Sequence, residues 1–459
     1  MLFQSFERNT NYMKRVMMLR KTYIILAGLA FFLLSACSSQ GSTAEENAEE
    51  VLQQLQEEEY QQINDQYFSD ELQESYPADE LQLSWEANRG STFEEISNLE
   101  ATADEEETAV SGEVIFDDAR MEVTMDWNEE EKLESLQIER PMEELALPDA
   151  AVEEDITIEA EDGYPLNGKL TLPDEEGGPY PAVVLVHGSG PNDMDETIFS
   201  YKPFQDIAYG LAEEGIAVLR YDKRTYTHGE KMVEELGAAL TVKEETVDDA
   251  VEAARMLQAD DRIQTDQVYI NGHSLGGMLA PRIDDEADTA GMILLAGSPR
   301  SLWEILYNQQ LDLASDNLSE EAREQLQDQA DAFKELAESF QDMSPEEAME
   351  YDIGGMSGYY LREMDQYDVG QIALDSNKPL LILQGEADFQ VTVENDFAAW
   401  EDIFENESQA TLKTYPDLNH NFILSQGENK GAIAEYNIPG HVDEQVIKDI
   451  SDWIHEQAE

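Results

Sequence analysis

The residues with the clearest chemical potential in this 459-residue chain begin at Gly272-His273-Ser274-Leu275-Gly276. The segment follows an expected strand at 266–271 and precedes the small-residue run 277–280. A serine projecting from a tight strand-to-helix turn needs neighbours without side chains two positions before and two after it, because the backbone there is strained and closely packed. Gly272 and Gly276 meet that need. A glycine-spaced serine arises often by chance, so the setting between strand and helix carries the weight. A serine hydroxyl attacks a carbonyl only when a base takes its proton and a carboxylate orients that base. Asp388 lies beyond an expected strand at 380–384, and His420 beyond one at 411–415, which gives the chain order Ser, Asp, His. Glu386 is the rival for the acid. His228, His441 and His455 have no post-strand setting, and His273 reads as a packing or turn residue. A tetrahedral oxyanion needs two preorganised N–H donors. Leu275 supplies one, and the loop His187-Gly188-Ser189-Gly190-Pro191 the other, from Ser189 or, failing that, Gly190. Nothing shows metal-ligand spacing, so no metal or cofactor is expected.

The elements that must hold these groups are legible as a change of texture near residue 153. Segments 156–160 and 166–172 flank Asp162-Gly163, a hairpin signal. Continuous apolar runs follow at 182–186, 216–219, 268–270, 292–296 and 380–383, mostly separated by helix-length segments. That pattern predicts a parallel sheet covered on both faces, with its site at the carboxyl ends of the strands. The interval between Ser274 and Asp388 is longer than the remaining strands require, and 301–368 reads as helices, so a cap is expected over about 300–370. Leu302, Trp303, Leu306, Tyr307, Tyr359, Tyr360 and Tyr367 are its candidates for an apolar pocket, with simple packing as the alternative. The closing helix places Val446, Ile450, Trp453 and Ile454 on one face.

Five segments, HGSGPNDMDE, GIAVLRYDKRTYTHG, GHSLGG, QGEADFQV and LNHNF, resemble an α/β-hydrolase family of carboxylesterases and serine-aminopeptidase-like enzymes over about residues 150–459. The resemblance implies an α/β-hydrolase fold with a helical cap, Ser274 as nucleophile, Asp388 as acid and His420 as base. It implies a small-molecule carboxylic ester as substrate, cleaved through an acyl-serine. It also casts Tyr221-Asp222-Lys223-Arg224 as an ion-paired loop end. Met194 departs from the arginine expected in the oxyanion-side loop. Two other readings stand beside the ester hydrolase: an aminopeptidase or amidase, with Asp193, Asp195 and Glu196 as the source of a carboxylate for a substrate amine, and a non-catalytic surface binding lipoprotein.

The chain before residue 150 has a different character. Lys14, Arg15, Arg20 and Lys21 precede a short apolar run at 24–34, and Leu34-Ser35-Ala36-Cys37 follows. The run is shorter than the ~20 residues that span a bilayer, and the whole resembles a bacterial lipoprotein signal whose cysteine becomes lipidated. Residues 1–37 are therefore expected as a signal peptide, 38–47 as a polar linker, and 48–145 as a small α+β domain. That domain resembles the nuclear-transport-factor-like unit of unknown function found before hydrolase domains. Trp85 and Trp127 read as core aromatics rather than pocket lining. With 102 acidic against 27 basic residues, the formal net charge is −75. Such a field excludes nucleic acid and anionic lipid surfaces as partners and suits a solvated acidic coat. Contact with a membrane is expected only through the lipid, on the extracellular face of the cell membrane.

Overall fold

The structure is a computed structural model that describes residues 37–90, 92–103, 107–117, 119–141, 145–159, 163–175, 177–312, 320–427 and 430–457. The expected signal sequence before Cys37 lies outside the described residues.

The small domain is built from four helices followed by one antiparallel sheet. The helices are Cys37–Gln56, Tyr60–Tyr67, Asp70–Ser75 and Ala78–Asn88, and the strands are β1 (Phe93–Ala103), β2 (Glu107–Phe116), β3 (Arg120–Asn128) and β4 (Leu133–Glu139), paired in sequential order. Along β3, Met121, Val123, Met125 and Trp127 are buried while the residues between them are not, the period-2 signature of a sheet with one covered face. The polar linker expected at 38–47 is instead part of the first helix. Ala44 and Ala48 continue the helical spacing of Val51, Leu52 and Leu55 and are buried with them. Alanine is the best helix former and buries no polar atom, so a stretch that reads as small and polar still supplies a helix face.

The second domain is organised by eight strands: β5 (Val152–Ile158), β6 (Leu166–Leu172), β7 (Tyr180–Val186), β8 (Ala217–Tyr221), β9 (Ile263–His273), β10 (Gly291–Leu295), β13 (Leu380–Gly385) and β14 (Ala410–Tyr415), with a separate two-residue hairpin β11 (Asp352–Ile353) and β12 (Met356–Ser357). The sheet order is β14-β13-β10-β9-β7-β8-β6-β5; β7, β8, β9, β10, β13 and β14 run parallel, and β6 pairs antiparallel with both β8 and β5. This is the parallel sheet covered on both faces that the apolar runs predicted, extended at one edge by two antiparallel strands. Those runs are continuous because alternate residues serve opposite faces. In β7, Ala182, Val184 and Val186 join one core and Val183 and Leu185 another. Helices Asp248–Gln258 and Leu275–Ala287 cover the first face, and Pro203–Glu213 and Glu444–Gln457 the second.

Between β10 and β13 the chain leaves the sheet for helices Leu302–Asp312, Glu320–Ser339, Pro345–Ala348, Gly358–Met364 and Val369–Ser376. The aromatic pocket candidates there serve packing. Leu302, Trp303, Leu306, Tyr307 and Tyr359 lean on the main core, and Tyr360 is buried in it. Trp303 Nε1 donates to Asp365 Oδ2 at 3.0 Å, and the Arg282 guanidinium lies 3.7 Å from the centre of the Tyr367 ring.

Candidate active site

β9 ends at His273, and the helix Leu275–Ala287 begins two residues later, leaving Ser274 alone to turn the chain. It does so at φ 52° and ψ −115°, a conformation an L-residue adopts only under strain. The flanking glycines are sterically required: a Cβ on Gly272 would collide with the carbonyl of Gly276, and one on Gly276 with the carbonyl of Val186 in β7. Ser274 N donates to Leu295 O at 2.8 Å, which ties the turn to the end of β10. Ser274 itself stays partly accessible.

Asp388 and His420 are brought together from the ends of neighbouring strands. Ala387 N donates to Leu418 O at 2.9 Å, and Gly385 approaches the Leu418 and Asn419 carbonyls too closely for a side chain. His420 is presented by a loop wound on Asn419, whose Oδ1 accepts the amides of Asn421 at 3.0 Å and Ile423 at 3.2 Å. His420 Nδ1 then lies 2.7 Å from Asp388 Oδ2, with both residues buried. The carboxylate is held by three further donors: Gln390 N at 2.8 Å, Val391 N at 3.0 Å and Gln384 Nε2 at 2.9 Å. Glu386, the rival acid, is exposed and accepts from Thr414 Oγ1 at 2.7 Å, away from this pair. The ring nitrogens of His228, His441 and His455 bond to Pro165 O, Asp206 Oδ1 and Glu214 O.

The loop after β7 approaches Ser274 from the other side. A Cβ on Gly188 would stand 3.1 Å from Ser274 Cβ and 3.2 Å from Glu196 Oε1, so any side chain there would press both neighbours back. Beyond it Ser189 is exposed, and Gly190 takes φ +92°. Leu275 is the first residue of its helix, so its N–H has no acceptor within the helix.

The sequence did not single out the buried pair behind this site. His273 Nδ1 lies 2.9 Å from Glu196 Oε2, its Nε2 donates to His420 O at 2.9 Å, and Glu196 Oε1 accepts Gly188 N at 2.6 Å. One imidazole and one carboxylate thus join the Ser274 turn, the His420 loop and the glycine loop. Burial alone would push His273 down, but the charge and hydrogen bond of Glu196 prevail and raise it above the usual histidine range. Burial works against Glu196 in the same way, and His273 overcomes it to hold the carboxyl below its usual range. A histidine at the last position of a buried strand was the available signal. Its partner, 77 residues earlier in sequence by the numbering of Glu196 and His273, was not.

The acidic loop weighed as an amine holder is engaged elsewhere. Glu196 is in the pair just described, Asp195 is paired with Arg220, and Asp193 Oδ1 accepts the amides of Asp195 at 3.2 Å and Thr197 at 2.9 Å. Met194 takes its place through its backbone, donating to Asp222 Oδ1 at 3.0 Å. Among the described residues, no group of three or more His, Cys, Asp or Glu is arranged to hold a metal, and no helix is long and apolar enough to cross a membrane.

Residues 203–437 match the prolyl oligopeptidase family, and residues 48–136 match a domain family of unknown function, DUF3887. Esterase EstD of Thermotoga maritima is 35% identical over 371 residues, covering 79% of this chain and 84% of that protein. Similar solved structures include Est1E from Butyrivibrio proteoclasticus, at TM-score 0.42 and 18% identity over 66% of this chain and 98% of that one. A hyperthermophilic esterase from Pyrobaculum calidifontis follows at TM-score 0.40 and 16% identity, over 67% of this chain and 86% of that one. With a family match running from the helix after β7 past the His420 loop, and 35% identity to a curated relative over most of both chains, this chain belongs to the prolyl oligopeptidase family of α/β-hydrolases.

Proposed function

We propose that this chain hydrolyses small carboxylic esters through an acyl-serine intermediate, with Ser274 as nucleophile, His420 as base and Asp388 as orienting acid. The observation that carries the reading is the buried 2.7 Å contact between His420 Nδ1 and Asp388 Oδ2, supported by the strained strand-to-helix turn at Ser274 and by the 4.8 Å between the rings of His420 and His273, the residue before that serine. The carboxylate accepts the Nδ1 proton, which leaves Nε2 with a lone pair to take the proton of Ser274 Oγ. The oxygen attacks the ester carbon, and the N–H groups of Leu275 and Ser189, with Gly190 next in line, receive the oxyanion. Collapse expels the alcohol, which takes its proton from His420. Water deprotonated by the same imidazole then releases the acid and restores Ser274. The similarity to an esterase supports ester over amide, as does the engagement of Asp193, Asp195 and Glu196 away from any substrate amine.

The test is hydrolysis of short and medium p-nitrophenyl esters by the protein starting after Cys37 and by its Ser274→Ala variant. Activity abolished by the substitution supports the reading. Ester turnover that survives it, or none alongside cleavage of aminoacyl amides, overturns it.

The proposal extends to the N-terminus: Cys37 carries a lipid that anchors the chain to the outer face of the cell membrane. The basic and apolar segments before it support this. Radiolabelled palmitate should enter the wild type and not Cys37→Ser. Equal labelling, or membrane retention of the variant, would remove the anchor from the account.

A further inference from the structure

The peptide joining Gly188 to Ser189 is held by a chain of buried polar groups that starts in the cap. Tyr360, on the helix Gly358–Met364, donates its hydroxyl to Glu245 Oε2 at 2.9 Å. Glu245 Oε1 lies 2.6 Å from Lys223 Nζ, and Lys223 Nζ donates to Gly188 O at 2.8 Å. All three side chains are buried, Lys223 at 1% exposure, so solvent cannot substitute for any link. The hydroxyl remains a donor throughout, since burial, with Glu245 adding, keeps Tyr360 well above the usual tyrosine range.

A trans peptide is planar, with its carbonyl and N–H pointing in opposite directions. Fixing Gly188 O therefore fixes the direction of Ser189 N–H, and Glu196 Oε1 fixes the preceding amide from the other side. We infer that Lys223 is a positioning residue that aims the Ser189 oxyanion donor, and that the Tyr360–Glu245–Lys223 chain makes that aim depend on how the cap is seated. The inference rests on the esterase reading for its catalytic consequence, but the mechanical link stands apart from it. A misdirected donor stabilises the transition state less while leaving ground-state binding alone. Cap seating and turnover are thereby coupled through residues that touch no substrate.

Two variants separate the link from the chemistry. Tyr360→Phe removes one oxygen and preserves the packing; Lys223→Met with Glu245→Gln removes the ion pair without leaving a buried charge alone. Hydrogen–deuterium exchange is followed in peptides covering 186–197, where the amides of Gly188, Met194 and Glu196 are hydrogen-bonded. Exchange there should accelerate in both variants, while peptides covering β10 and β13 in the hydrolase sheet keep the wild-type rate and report intact folding of that domain. In parallel, kcat/KM should fall about five-fold in Tyr360→Phe, the weight of one ordinary hydrogen bond, and about 10²-fold in the double variant, the weight of one oxyanion donor. Affinity for a trifluoromethyl ketone, which forms a tetrahedral adduct, should fall by the same factors with KM within two-fold of wild type. Wild-type exchange at 186–197 in either folded variant overturns the inference, as does a change confined to KM. Accelerated exchange in a protein inactive on every ester would overturn the esterase reading and leave the link between cap and loop in place.

Discussion

In the small domain the core runs from Ala44 to Ile138 and is aliphatic and aromatic, with Gln54 and Asn64 the only buried polar residues described there. The hydrolase domain, of ordinary apolar composition inside its sheet, buries Arg220, Lys223, Arg224, Arg282, Glu196, Asp249, Asp284, Asp388 and Asp396 as well. Burying an ion costs several kcal/mol unless a partner and further hydrogen bonds offset it, and each of these is matched: Arg224 with Asp249, Arg282 with Glu363, Lys223 with Glu245, Lys378 with Asp284. The chain has only 27 Lys and Arg against 102 Asp and Glu, and still places four of its cations inside this one domain. Of the pairs, Arg282–Glu363 joins the cap to the helix Leu275–Ala287, and Lys223 also holds the loop at Gly188. The contrast teaches that the small domain's core is filled almost wholly by apolar packing, whereas the hydrolase domain adds buried ion pairs that fix directions.

The largest expected effect tests the directional half. In Asp388→Asn the new amide must face donors whichever way it turns, because Oδ1 accepts two backbone amides and Oδ2 accepts Gln384 and His420. The less costly arrangement puts the NH₂ group toward His420, which turns the imidazole into the tautomer with a proton on Nε2. That tautomer cannot take the proton of Ser274, and kcat should fall ~10⁴-fold with the melting temperature little changed. Kinetics with a circular-dichroism melt decide it. Loss of activity through unfolding instead would mean that Asp388 serves the fold before the chemistry.

The second tests the packing half. Trp127 is buried and meets Tyr67 edge-on, with ring centres 5.9 Å apart. Trp127→Ala should cost the small domain about 3 to 5 kcal/mol, seen as early loss of exchange protection in β1 to β4, with kcat within two-fold of wild type. A ten-fold fall in kcat would erase the contrast between the domains. The route would then be the helix Ala78–Asn88, which lies against Ile433–Asn437, where the Tyr436 hydroxyl accepts from Gln390 beside Asp388 at 2.8 Å.

The same division explains what could be read from sequence. Ser274, Asp388 and His420 were visible because each follows a strand and sits in a turn whose glycines or asparagines are local requirements, and the sheet was visible because two-sided burial makes its strands continuously apolar. The first half of the helix Cys37–Gln56 was hidden because its small and polar residues read as a linker. Tyr360, Glu245 and Lys223 were hidden for another reason: a buried tyrosine, glutamate and lysine from three separate segments have no shared pattern until the fold joins them. Lys223 was read as an ion-paired loop end, which it is, but nothing local showed that the loop it holds is the one at Gly188.

The smallest expected effect concerns a group that must stay uncharged while its neighbours are ionised. His187 begins the glycine loop, packs against Phe204 and Tyr221 at ring distances of 5.0 and 5.4 Å, and donates Nε2–H to Asp193 O at 3.0 Å. Burial pushes it down to about 4, with Lys223 adding to the fall and Glu196 opposing it. The folded value lies below the unfolded one of about 6.5, so the unfolded chain gains a proton first as the medium turns acid. The stability contributed by neutral His187 is complete above pH ~6.5 and is lost as the pH falls toward 4. Glu196, depressed in the fold, loses its share only below its ordinary value of about 4.5, His273, raised in the fold, keeps its share below 6.5, and Asp222, which burial raises to about 6, gains stability across the same interval, so His187 is read from the difference between the wild type and a variant that lacks the imidazole. Urea unfolding of wild type and His187→Asn at pH 7 and pH 4.5 should show the wild type losing about 2 to 3 kcal/mol more than the variant. Parallel losses would mean that the loop opens in acid far enough for His187 to be protonated in place, and the rigidity attributed to its neighbours at Gly188 would fail with it.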